Sequence, residues 1–194
     1  MKPVVLAIAL LFAANLGKYR AWAESPQGYF MTKAERAEWS KLTTEAGAEQ
    51  FVNDFVASRG PRFADEVAAA AKEADDHLTV AGRKGSKTLR GKLVIVLGPP
   101  SSFSIEQRGG DKSGTMATHI DTAHPQFLHA PGAAWSVSEM RKRFPDDYKF
   151  TYGDRTIVVA VSPATGEDRI LDARMAREAE ELLEAAAKAR RVTR

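Results

Sequence analysis

The chain contains no cysteine. Disulfide bonds, thiol catalysis, cysteine-ligated metal sites and lipid attachment to a cysteine are therefore excluded. The chain also lacks a large excess of either charge, since it has 28 lysine and arginine residues and 25 acids, for a net charge of +3. These basic residues are spread along the chain among the acids, so the concentrated basic surface typical of nucleic-acid binding is not indicated. No internal repeat is visible, which excludes a repeat architecture.

Long hydrophobic runs are rare, and the longest lies at the amino end. Positions 3–16 are almost entirely apolar, a run of about 14 residues, which is shorter than the roughly 20 that span a bilayer as a helix. Ala21-Trp22-Ala23 has the small residues that a signal peptidase requires, so we predict a signal peptide over 1–23, cut before Glu24. Lys18 and Arg20 oppose translocation of the following chain, which keeps an uncleaved membrane anchor as the alternative.

The rest of the chain has the length of one domain. We predict a linker over 24–30 and a single domain over 31–194. The hydrophobic content of the whole chain, 44%, is ordinary for a protein with a buried core. An export signal places this domain in the periplasm or outside the cell.

Three amphipathic helices are predicted at the start of the domain. Apolar residues recur at helical spacing from Thr32, over Thr44–Ser58 and over Arg62–His77. Thr32 and Glu35 have the spacing of a capping box. A last helix is predicted from Asp172 to about position 191.

The remaining pattern predicts strands. Leu93–Leu97 is a continuous run of apolar, mostly β-branched residues, ended by Gly98-Pro99-Pro100. Such a run predicts a central strand covered on both faces. Further strands are predicted over 103–107, 115–121, 148–152 and 156–161. The order of elements predicts an α+β fold with N-terminal helices packed on a mostly antiparallel sheet, followed by a C-terminal helix.

The residues around Leu93–Leu97 resemble the signature of the GWxTD-domain family. That signature is a glycine, a tryptophan, any residue, a threonine and an aspartate, then Arg-Gly, a strand and Gly-Pro-Pro. Ser86 stands where the family has its tryptophan, and Leu89 where it has its aspartate, so the roles of those two residues do not carry over. The family consists of exported bacterial proteins without an established activity, so the resemblance implies a compartment and no reaction. The matching positions are Gly85, Thr88, Arg90, Gly91, Gly98, Pro99 and Pro100.

The signature residues also have a physical interpretation. Gly91 and Gly98 are expected to provide positive φ or a close backbone approach at the two ends of the apolar run. Arg90 is expected to pair with a carboxylate or to bind carbonyl groups at a helix end.

Candidate metal ligands cluster at His119, Asp121 and His124. On a strand, His119 and Asp121 would share one face, but the spacing matches no established zinc pattern. Because the three residues are of metal-binding types, a metal-dependent hydrolase that uses them is an alternative function. Phosphate-binding loops and nucleophile elbows have no match in this sequence.

The sequence favours a non-catalytic exported domain that contacts a protein partner in the envelope. It predicts no cofactor and no nucleic acid, and membrane contact only if the N-terminal segment stays uncleaved. A small-ligand pocket between helices and sheet is a further alternative. The basic C-terminal residues 188–194 are interpreted as a solvated helix end able to touch acidic surfaces. The candidate contact residues, beside a sheet edge or groove, are Arg90, Gly91, Gly98, Pro99, Pro100 and Trp135.

Overall fold

A computed structural model describes residues 15–107 and 146–191. The described residues form five α-helices and a four-stranded sheet, which confirms the predicted α+β class. In chain order the elements are α1 (Lys33–Trp39), α2 (Glu45–Ala57), α3 (Phe63–Leu78), α4 (Leu89–Leu97), β1 (Ser102–Gln107), β2 (Asp146–Tyr152), β3 (Arg155–Val161), β4 (Asp168–Arg169) and α5 (Ala173–Ala189).

Polar side chains cap the amino ends of three of the predicted helices. At α1 the Thr32 hydroxyl accepts from the Glu35 amide, and the Glu35 carboxylate accepts from the Thr32 amide at 2.8 Å, so the capping box is complete. The Thr44 hydroxyl caps α2, and the Asp172 carboxylate caps α5 by accepting from the Met175 amide at 2.8 Å. These bonds satisfy amides that the helix itself leaves without partners. The predictions of α1, α2, α3 and α5 are confirmed.

The sheet is antiparallel, in the order β1-β2-β3-β4. Phe103 lies opposite Phe150, and Tyr148 opposite Val159, so alternate residues of three strands point into the core. The strands predicted over 103–107, 148–152 and 156–161 are confirmed. The strand predicted over 115–121 lies outside the described residues.

The predicted central strand is wrong, because Leu93–Leu97 forms the second half of helix α4. This helix packs against α3, α5 and β4, and Leu93, Ile95 and Val96 are all buried. A helix enclosed on every side needs no polar face, so its sequence loses the helical period. Thr88 caps its start, and Gly98, at φ +81°, ends it. A buried helix therefore occupies the centre that the sequence assigned to a strand.

Two glycines bring three backbone segments into direct contact. A Cβ on Gly91 of α4 would lie 1.9 Å from the Gly85 carbonyl oxygen, and a Cβ on Gly85 would lie 1.8 Å from the Ala74 carbonyl oxygen of α3. The Thr88 hydroxyl fixes the same junction, since it donates to the Gly85 carbonyl at 2.7 Å and accepts from the Gly91 amide at 3.1 Å. The close approach expected at Gly91 is confirmed, and the positive φ expected of the pair occurs at Gly98.

The chain ahead of α1 and the last helix both join the helical layer. Residues 17–30 form three short 3₁₀ turns over Gly17–Tyr19, Trp22–Glu24 and Gly28–Phe30. At the other end of the chain, the Glu184 carboxylate of α5 accepts from the Lys33 amide of α1 at 2.9 Å. Within 15–107 and 146–191, no helix combines the length and apolarity needed to cross a bilayer.

The junction of α3 and α4 predicts the effect of Gly91→Ala. The added methyl group overlaps a backbone carbonyl that cannot rotate away, so we expect a loss of about 3–5 kcal/mol in the free energy of unfolding, or no folding. Urea unfolding followed by circular dichroism measures this loss. Gly47→Ala is the matched control, because the same methyl group on α2 comes within 3.1 Å of a side-chain oxygen only, and we expect a change within about 1 kcal/mol. Equal losses in the two variants would contradict the proposed backbone contact.

Candidate functional site

Arg90 lies inside the fold, with none of its surface exposed. Its Nε donates to the Asp168 carboxylate at 3.0 Å, and its backbone amide donates to the same carboxylate at 2.9 Å. The guanidinium carbon lies 4.7 Å from the centre of the Tyr148 ring. Arg90 therefore pairs with a carboxylate, as predicted, and the ion pair joins the amino end of α4 to β4. Asp168 was not singled out as its partner from the sequence.

The other predicted site residues are placed as follows. Gly91 is enclosed in the α4 junction, and Gly98-Pro99-Pro100 forms the exit from α4 toward β1, with Pro99 exposed. Trp135, His119, Asp121 and His124 lie outside the described residues. Within the described ranges, histidine, aspartate and glutamate side chains nowhere form a group that could hold a metal ion.

Burial of the Arg90–Asp168 pair carries a desolvation cost. Within the described part of the chain, neither Nη1 nor Nη2 of Arg90 has a hydrogen-bond partner. The Asp168 carboxylate and the Tyr148 ring are the groups that offset its desolvation. A buried pair of this kind stabilises the fold only while both partners are present.

We therefore expect Asp168→Asn to destabilise the protein by about 3–5 kcal/mol, because Arg90 is left as a buried charge without a counter-ion. Arg90→Met added to Asp168→Asn removes that charge, while the amide oxygen of Asn can still accept from the backbone. The double variant should recover most of the loss, as measured by urea unfolding. A double variant no more stable than Asp168→Asn would show that the charge is not the cause.

A second set of charged residues surrounds an open hollow between the turn that joins α2 to α3 and the carboxyl end of α5. Its volume is about 520 Å³. We call this feature the arginine hollow, because four of its lining residues are arginines. The lining consists of Arg59, Arg62, Arg190 and Arg191 with Gly60, Pro61, Phe63, Glu66 and Ala189.

Arg59 is the fixed part of the arginine hollow. Its side chain is fully buried, and the guanidinium lies 3.4 Å from the centre of the Phe55 ring. Nη2 donates to the Glu35 carboxylate at 2.9 Å and to the Phe30 carbonyl at 2.9 Å. Nη1 donates to the Phe55 carbonyl at 3.1 Å. Within the described residues its Nε has no hydrogen-bond partner and is itself buried, so Arg59 anchors the hollow through its internal bonds and the exposed arginines are the groups that a ligand can reach.

The other arginines are exposed, and two carboxylates hold them. Glu66 binds Arg190 and lies 3.6 Å from Arg62, and Glu35 lies 3.8 Å from Arg191. Among the residues that the structure describes around the hollow, four guanidinium groups therefore meet two carboxylates, an excess of two positive charges. The amino end of α3 opens at Arg62 without a side-chain cap, so the helix dipole adds positive potential there.

Glu35 and Arg59 have shifted pKa values. Burial raises the pKa of the Glu35 carboxyl, but hydrogen bonds from Thr32 and Arg59 outweigh it, so the pKa lies below its ordinary value. Burial lowers the pKa of Arg59, against the opposite effect of Glu35. The lowered pKa favours the ionised form of Glu35 at neutral pH, where an arginine guanidinium is protonated.

The lowered pKa of Glu35 predicts an acid-dependent loss of stability. A carboxyl whose pKa is lower in the folded state contributes stability above its unfolded pKa of about 4.3, and that contribution is lost as the pH falls through the folded value. We expect Glu35→Gln to be less stable than wild type at pH 7 by roughly 1–3 kcal/mol, with the difference shrinking below about pH 4. Urea unfolding midpoints between pH 7 and pH 3 measure it. Glu38→Gln, on the exposed side of α1, is the control and should change little at any pH.

The arginine hollow was missed from the sequence because its arginines come from two distant parts of the chain. Arg59 and Arg62 flank the Gly60-Pro61 stop of α2, and Arg190 and Arg191 belong to the basic C-terminal run. That run was the available signal, although its interpretation as a solvated helix end did not point to a hollow.

Comparison with known proteins adds no assignment. No family model matches the chain, and no curated protein or solved structure is significantly similar to it. The resemblance to the GWxTD-domain family therefore stays a prediction.

Proposed function

We propose that this chain is an exported, non-catalytic interaction domain that binds an acidic segment of a partner protein in its arginine hollow. The observation that carries the proposal is the excess of guanidinium groups over carboxylates around one open concavity. Arginine suits carboxylate recognition because its planar fork donates two parallel hydrogen bonds to the two oxygens.

The size and lining of the hollow favour a peptide over a single small anion. The hollow is open to solvent, and its volume of about 520 Å³ is more than one small anion fills. Pro61 and Ala189 add exposed apolar surface beside the arginines, which suits the side-chain stems and backbone of an acidic segment.

Glu66 acts in this proposal as an internal competitor. Its carboxylate occupies Arg190 and lies near Arg62 in the unbound domain. A partner carboxylate must displace Glu66 from these arginines, so part of the binding energy is lost to breaking an existing ion pair. Removing the charge of Glu66 should therefore strengthen binding.

The GWxTD-like residues support a scaffold role for the α3–α4 region. Gly85, Thr88 and Gly91 are used in backbone contact, and Arg90 is used in a buried ion pair. The proposed contact surface therefore moves from the predicted sheet edge to the arginine hollow.

Fluorescence anisotropy of the full chain with a labelled ten-residue oligoglutamate peptide tests the proposal. Arg62→Gln and Arg190→Gln should each weaken binding about tenfold, since a hydrogen bond to a charged group contributes about 1.5–3 kcal/mol. Glu66→Gln should strengthen binding severalfold. Arg174→Gln is the matched control, because it removes one exposed charge of α5 away from the hollow.

Two results would contradict the proposed function. Equal weakening by Arg174→Gln and Arg62→Gln would assign the binding to net charge alone. Inorganic phosphate that binds as tightly as the peptide, and displaces it fully, would assign the hollow to a small anion instead of a protein segment.

A further inference from the structure

The segment ahead of α1 is built into the hydrophobic core. The Trp22 ring lies 5.2 Å from the ring of Trp39, 5.0 Å from Phe55 and 6.1 Å from Phe51, measured between centroids. Edge-on and tilted contacts at these distances are favourable aromatic packing. Trp22 thus joins α1 to α2 by filling the space between their aromatic side chains.

Hydrogen bonds fasten the same segment along its length. The Asn15 amide donates to the Thr43 carbonyl at 3.1 Å, and the Tyr19 hydroxyl donates to Glu49 of α2 at 3.2 Å. Leu16 is 9% exposed and belongs to the core. The folded domain therefore extends at least as far back as Asn15.

The bond predicted to be cut, between Ala23 and Glu24, lies within a structured turn. The Ser25 amide donates to the Trp22 carbonyl at 2.9 Å across that bond. Gly28, which follows that bond in the chain, packs against the backbone that precedes it. A Cβ added to Gly28 would lie 2.5 Å from the Trp22 carbonyl oxygen and 2.6 Å from the Ala23 carbonyl oxygen. The two sides of the predicted cleavage bond are therefore packed on each other in the folded domain.

We infer that residues 15–23 remain part of the mature protein, and that the bond after Ala23 is not a processing site. Removal of this segment would strip Trp22 from the cluster and expose Trp39, Phe51 and Phe55 to water. Trp22 is itself partly buried, and large aromatic side chains packed against a core are among the most costly to remove. Ala21 and Ala23 then flank Trp22 at the tight turn over Trp22–Glu24, and they resemble a peptidase site in sequence only.

The mass of the mature protein tests this inference. The full chain, produced in a bacterial host with a tag at its carboxyl end, is purified from the envelope and from the cytoplasm, and its intact mass is measured. We expect a chain that includes residues 15–23 in every folded fraction. A folded protein that begins at Glu24 would overturn the inference.

Substitution of Trp22 in the full chain gives a second readout. Trp22→Ala should lower the Tm by about 10 °C, since loss of a large aromatic side chain from a core shifts the Tm of a domain of this size by that order. Trp22→Phe should restore part of the loss. Ala21→Ser, at the exposed neighbouring position, should leave the Tm unchanged. A Trp22→Ala protein as stable as wild type would also overturn the inference.

Discussion

The backbone contact between α3, the turn over Gly85–Lys87 and α4 is the constraint on which the rest of the fold depends. It requires two residues without a Cβ, Gly85 and Gly91. It also requires the Thr88 hydroxyl, which donates to the Gly85 carbonyl and accepts from the Gly91 amide. This contact seats α4 deep enough to be enclosed by α3, α5 and β4. Arg90 then reaches Asp168 from the first turn of α4, so a buried ion pair ties this helix to β4.

Charge is used in two different ways in this molecule. The Arg90–Asp168 pair is almost completely buried, so its effect is on stability. The arginine hollow is open, and there one buried guanidinium, that of Arg59, is held between an aromatic ring and a carboxylate while exposed arginines surround it. The buried Arg59 is ordered by its own partners, and the exposed arginines beside it are the groups that a ligand can reach.

The sequence predicted those parts of the fold whose signals are local. Caps such as Thr32 and Asp172 lie within three residues of the amides they bind, so the starts of α1 and α5 were predictable. Helix α4 was predicted as a strand because enclosure on all sides removes the helical period. Two sequence signals of a helix remained: a threonine at position 88, which caps its start, and a glycine at position 98, which ends it with a positive φ. The arginine hollow depends on side chains that only the tertiary fold brings together, so no local pattern identified it.

Helix α5 meets the beginning of the domain, because Glu184 accepts from the first amide of α1, and Arg190 binds Glu66 of α3. Its buried face also covers α4. The part of α4 that α5 covers thus stays exposed until α5 has been made. The helical layer is therefore completed only after α5 has been synthesised, and the chain ahead of α5 exposes that apolar surface until then.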